Sequence, residues 1–120
     1  MLMQLHYLEI VTAEVDAVCA AYGDGLGLHF SAPDPALGDA RTARLADGSR
    51  VGVRAPMHES EAAVVRPYWR VDDLEAALAA AEQQGAATIH PPLELPGKGR
   101  FAIYLQGGIE HGLWQLDDDA

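Results

Sequence analysis

RPYWRVDDLEAALAAAEQQG, residues 66–85, reads as a strand running directly into a capped helix. Tyr68, Trp69 and Val71 suit a pleated strand. Asp72 follows as an N-cap, with Glu75 three places on in the pattern of a capping box. Leu74, Ala77, Leu78 and Ala81 then recur at helical spacing and form one apolar stripe, while Glu75, Glu82, Gln83 and Gln84 lie off it. Gly85 is the stop.

An earlier stretch has the same grammar. Leu5 to Val11 is rich in strand formers, and a helix is expected from about Ala13 to Tyr22, with Val15, Val18, Cys19 and Tyr22 on its apolar face and GDGLG at 23–27 ending it. Residues 28–30 read as a short strand and 31–39 as a Pro- and Gly-containing loop. Strands at 41–45 and 50–54 flank Asp47-Gly48, a hairpin signal. Residues 55–63 read as a polar linker, after which the pattern restarts. The second copy continues with a short strand at 87–90, a loop over PPLELPGKG, strands at 100–105 and 109–116 joined through Gly107-Gly108, and an acidic tail.

The two halves align at an offset of sixty without a gap. Val11 falls on Val71, Gly25 on Gly85, Gly48 on Gly108 and Gly52 on Gly112. Coincidence of helix stops, hairpin turns and Pro-rich loops carries more weight than any single match, and it predicts a duplicated βαβββ module, about 1–58 and about 62–120.

Composition narrows the class. A 120-residue chain that is 49% hydrophobic is the size of one ordinary domain. No apolar run approaches the ~20 residues that cross a bilayer, and the N-terminus reads as a strand rather than a signal peptide, so a cytoplasmic protein with no membrane partner is expected. A single cysteine, Cys19, excludes an internal disulfide and a cysteine zinc cage, and reads as a small core residue. A net charge of −10 argues against a nucleic-acid partner, because phosphate binding needs a basic stripe. Seven of the eight basic residues are arginines, and most fall in predicted strands, where a guanidinium can be held in place to meet a carboxylate.

A tandem βαβββ pair with VDDLEAA after a strand, PPLELPGKGRFA, and a closing GIEHGLWQ strand resembles the vicinal oxygen chelate superfamily, which includes glyoxalase I, bleomycin-resistance proteins and extradiol dioxygenases. The resemblance implies an α+β fold in which two curved mixed sheets enclose a cleft with the helices outside, and a homodimer. It also implies a divalent metal site in the metal-using members, with ligands from the first and last strands of each module. His6 occupies one such position. The other three hold Arg66, Gly52 and Gly112. A divalent ion needs several anionic or imidazole donors, which glycine cannot offer and arginine opposes. His6 with Glu110 is the best residual pair if a metal is bound.

Alternation along the strands carries the reading to a ligand. If Arg66 and Gly112 face the cleft, so do Tyr68, Arg70, Glu110 and Trp114; on the same reasoning Leu8, Ile10, Arg50 and Arg54 face it, and Tyr104 joins them while Phe101 belongs to the core. Glu9 is expected on the helix side or at a sheet edge. The expected site therefore has aromatic walls from Tyr68, Tyr104 and Trp114 and guanidinium groups from Arg54, Arg66 and Arg70, suited to a small anionic or aromatic molecule. The leading reading is a metal-free small-molecule-binding protein. The alternatives are an enzyme of the same superfamily, with His6 and Glu110 as metal ligands or one of them as general base, and a protein-interaction module.

Overall fold

A computed structural model of the chain describes residues 3–117. Seven strands and two α-helices follow one another as β1 (Gln4–Val11), α1 (Val15–Leu26), β2 (Arg41–Arg44), β3 (Arg50–Arg54), β4 (Val64–Arg70), α2 (Leu74–Gln83), β5 (Ala87–Leu95), β6 (Gly99–Gln106) and β7 (Ile109–Gln115), with a 3-10 turn at Pro35–Leu37. The fold class is α+β with mixed pairing. The acidic tail expected at the C-terminus lies, beyond Asp117, outside the described residues.

The contacts divide the chain into two compact units. One is Tyr7–Val65; the other runs from Arg66 onward and takes in the start of β1 as far as His6. In the first unit β3 is central, parallel to β1 and antiparallel to β2. Its core packs Ile10, Ala43, Val51 and Val53 against Cys19 of α1, with Leu8, Val15, Val18 and Tyr22 closing around them. α1 runs through the GDG sequence to Leu26 before Gly27, at φ 74°, turns the chain out. Propensity alone would stop it at Gly23, but four of its apolar side chains are held by the sheet, and packing outweighs ~1 kcal/mol per glycine. The strand expected at 28–30 does not form; that stretch leads to Ser31, whose N–H donates to Thr42 O at 2.8 Å, and to a single bridge between Asp34 and Ala40.

In the second unit β7 lies between β4, to which it is parallel, and β6, which pairs in turn with β5. Leu74 and Leu78 of α2 pack on Ala102 and Leu113, with Trp69, Val71, Ala77 and Tyr104 around them. The N-cap is Asp73, one residue later than the sequence pattern suggests: its Oδ1 accepts from Ala76 N–H at 3.0 Å, and Glu75 pairs with Arg100 rather than closing a capping box. The buried Gln115 Oε1 accepts from Leu74 N–H at 2.8 Å, satisfying a second donor of the helix start from the last strand.

The PPLELPGKG stretch is a strand as far as Leu95, not a loop. β5 pairs with β6 alone in this unit, and its register shifts between Thr88 and His90 and between His90 and Leu93. Pro91 and Pro92 sit in that second irregularity, where a missing N–H costs no ladder bond. The closing hairpin turns on Gly107 and Gly108, both at positive φ, as a two-residue primed turn requires.

Candidate functional site

In each unit the side of the strands turned away from the helix carries the chemistry-bearing residues. In the second unit, Arg66, Tyr68 and Arg70 alternate with Pro67, Trp69 and Val71, and Trp69 and Val71 belong to the helix side. Tyr68 lies beside Gly112 in the parallel register, and a Cβ at Gly112 would sit only 2.6 Å from the Tyr68 ring carbon Cγ. The ring is seated where the glycine has no side chain. Trp114, 4% exposed, meets the Tyr68 ring edge-on with centroids 5.6 Å apart; Phe101 lies 5.9 Å and His6 5.0 Å from Trp114, and His90 stacks on Phe101 at 5.0 Å. Trp114 Nε1–H donates to Lys98 O at 2.8 Å, which fixes the indole within its plane. Arg66 is buried and donates through Nε and Nη2 to Glu110 Oε1, at 2.8 and 2.6 Å.

The first unit is built on the same plan with different side chains. The hydroxyl end of Tyr7, two residues before the register partner of Gly52, fills the space beside Gly52, where in the second unit the Tyr68 ring lies directly beside Gly112. Burial, and then the charge of Glu9, push the Tyr7 phenol well above the usual tyrosine range, so it stays neutral. Beside it Glu9 Oε2 accepts from Arg54 Nε–H at 2.8 Å. The other edge of the Arg54 guanidinium is taken by Glu61, with Nη1–H to Oε1 at 2.9 Å and Nη2–H to Oε2 at 2.7 Å. Arg54 is 5% exposed, and hydrogen bonding to it lowers the Glu61 carboxyl from its ordinary 4.5 to about 2.

Comparison of the two registers corrects the gapless duplication. Thr12 N–H donates to Arg54 O, and Val71 N–H to Trp114 O. Arg54 and Trp114 are sixty residues apart, whereas Thr12 and Val71 are fifty-nine apart, as are the helix starts Val15 and Leu74. The second module therefore has one residue more than the first between its helix start and its last strand. A slip of one reverses every side chain of a strand, so Leu8 and Ile10 pack beneath α1, while Tyr7 and Glu9 take the side expected for Leu8 and Ile10. The residue of module one equivalent to Arg66 is Tyr7, not His6. Glu9, expected on the helix side or at an edge, is instead the buried partner of Arg54.

The expected site residues therefore divide. Arg66, Tyr68, Glu110 and Trp114 are brought together on one side of the second unit, with Arg70 next along β4 and His6 against Trp114. Arg54 is enclosed in its own carboxylate cluster in the first unit. Tyr104 faces the other way: it packs into the α2 cluster and stacks on His111 at 5.1 Å, and Phe101 takes the side expected for Tyr104. The irregular backbone of β5 lets His90 reach Phe101, a contact that period-two counting cannot anticipate. Glu61, in the stretch read as a linker, carried no periodic signal at all.

A divalent metal, possible by resemblance, finds a poor donor set. The last-strand positions Gly52 and Gly112 have their side-chain space filled by the Tyr7 and Tyr68 rings, and Glu110 is engaged by Arg66. Among the described residues no three of His, Cys, Asp and Glu converge as a metal group. Among the described residues no helix is long and apolar enough to cross a membrane.

No protein-family model matches the sequence, and no curated protein matches it. Solved structures do match in fold. A hypothetical protein from Bacillus halodurans C-125 aligns with a TM-score of 0.79 at 14% identity, over 100% of this chain and 99% of that one. Methylmalonyl-CoA epimerase from Mycobacterium tuberculosis aligns with a TM-score of 0.68 at 21% identity, over 93% of this chain and 87% of its own. Streptomyces coelicolor methylmalonyl-CoA epimerase, in complex with 2-nitronate-propionyl-CoA, aligns with a TM-score of 0.67 at 17% identity, over 98% and 99%. With the duplicated strand–helix units, these likenesses give the chain the fold of the vicinal oxygen chelate superfamily, to which methylmalonyl-CoA epimerase belongs.

Proposed function

We propose that this protein binds a small anionic or aromatic molecule against the helix-free side of its second unit, without a metal ion in the binding role. The observation that carries the reading is the placement of Arg66 and Arg70 on either side of Tyr68, on the same side of the sheet as Trp114 and Phe101. Packed rings offer a rigid apolar wall, and guanidinium groups beside it offer paired donors to a carboxylate. Arg66 is oriented by Glu110, so it is held ready rather than free to wander.

Thermal shift and tryptophan fluorescence with benzoate, malonate and short acyl thioesters test this directly. A saturable rise in Tm with at least one of them, lost in Arg70→Gln and reduced in Tyr68→Leu, is the expected result. No response across the set would remove the reading.

A second reading, an enzyme of the same fold, is favoured by the epimerases among the fold neighbours, one of which is complexed with an acyl-CoA analogue. Shared fold does not establish shared chemistry. If the chain moves a proton next to a thioester carbonyl, Glu110 or His6 is the base within this cluster. Incubation with methylmalonyl-CoA in D2O decides it: deuterium uptake that disappears in Glu110→Gln supports the enzyme, and no uptake leaves binding alone.

A further inference from the structure

The cluster around Arg54 has an asymmetry that its stability alone does not require. Glu9 comes from β1, held in register with β3 by the pairs Glu9 with Gly52 and Val11 with Arg54, so the bond to Nε is part of the sheet framework. Gly38 backs the side chain closely, since a Cβ there would lie 3.2 Å from Arg54 Cδ. The guanidinium is thus oriented by the body of the unit.

Its outer edge is occupied differently. Nη1 and Nη2 meet both oxygens of Glu61, with Ala55 O accepting a further bond from Nη1 at 3.2 Å. Glu61 belongs to the irregular stretch between β3 and β4. That stretch is tied down by the bond of Met57 N–H to Glu61 Oε1 at 2.7 Å and by Glu61 N–H to His58 O at 3.1 Å, and residues 57–60 are exposed. Two parallel N–H···O bonds to a carboxylate is the geometry by which an arginine recognises a carboxylate ligand.

We propose that the Nη edge of Arg54 is a carboxylate-binding site whose intramolecular occupant is Glu61, and that a small carboxylate enters when the 55–63 segment lifts. The ligand class is a short monocarboxylate, or a longer acid whose far end lies where the segment had been. Lifting exposes little apolar surface, and the entering carboxylate replaces the two bonds that Arg54 loses with Glu61, so exchange of one carboxylate for the other leaves the guanidinium paired. The site belongs to the first unit and does not rest on the function proposed for the second.

Chemical rescue tests it in the full chain. Glu61→Ala lowers Tm; sodium propionate then raises the Tm of this variant saturably, by about 4 °C or more at saturation, whereas sodium chloride at the same ionic strength does not. Glu61→Gln, which keeps the side-chain volume and one acceptor, gives the same selective response and serves if the alanine variant fails to fold. Combining either change with Arg54→Met abolishes the propionate response. Equal responses to propionate and chloride in the variants, or a propionate response that survives loss of Arg54, would overturn the proposal.

Discussion

Arg54 and Glu61 face each other through two parallel hydrogen bonds of 2.9 and 2.7 Å, with the guanidinium 5% exposed. This pair joins the last strand of the first module to a stretch with no regular structure, and it contributes one component to the pH response of the unit. The Glu61 carboxyl titrates at about 2 in the folded chain against an ordinary 4.5, so it binds fewer protons folded than unfolded across that interval. Its contribution is complete above pH ~4.5 and is lost as pH falls towards ~2. Acid titration of Tm should show a component in this window that is absent from Glu61→Gln. Arg54→Met, which leaves Glu9 and Glu61 facing each other without a cation, should cost about 3 kcal/mol or more by urea denaturation at neutral pH.

Gly112→Ala should destabilise by about 1–3 kcal/mol, because the new methyl would overlap the Tyr68 ring. Tyr68→Ser removes the obstacle, so the double variant should lose less than the sum of the two single losses. Simple additivity in that double-mutant cycle would mean that the ring and the glycine are not coupled.

Asp73→Ala should cost about 1 kcal/mol through loss of the cap bond to Ala76, and Asp72→Ala should be close to neutral. The two aspartates are adjacent, and equilibrium denaturation of the two variants distinguishes the cap seen in the structure from the one the sequence pattern suggests.

Gln115→Ala should cost about 1–3 kcal/mol, since it strands the Leu74 N–H at the buried start of α2. Amide hydrogen exchange at Leu74 should rise more than at the middle of the helix. An unchanged Leu74 amide would show that another acceptor serves it.

Much of this protein is a local matter and was legible in the chain. The apolar stripes of both helices, the Asp47-Gly48 and Gly107-Gly108 turns, and the restart of the pattern after residue 63 each depend on residues close in sequence, which is why the duplicated strand–helix plan could be read without coordinates. The separation of Arg66, Tyr68, Glu110 and Trp114 from the helix side of the second unit followed from period-two alternation once the resemblance set the side of Arg66 and Gly112. Other features needed the folded chain. Whether Tyr7 or His6 matches Arg66 depends on which residue of β1 pairs with Gly52, and a one-residue difference reverses a strand while leaving its composition unchanged. The bends of β5 that bring His90 onto Phe101 arise from strand pairing, not from any local signal. Arg54 could have met any of 18 carboxylates, and only the approach of β1 on one side and of the 55–63 segment on the other selected Glu9 and Glu61. Sequence determined the elements because periodicity and turn chemistry act within a few residues; tertiary structure decided the faces and the partners because those are contacts between residues far apart in the chain.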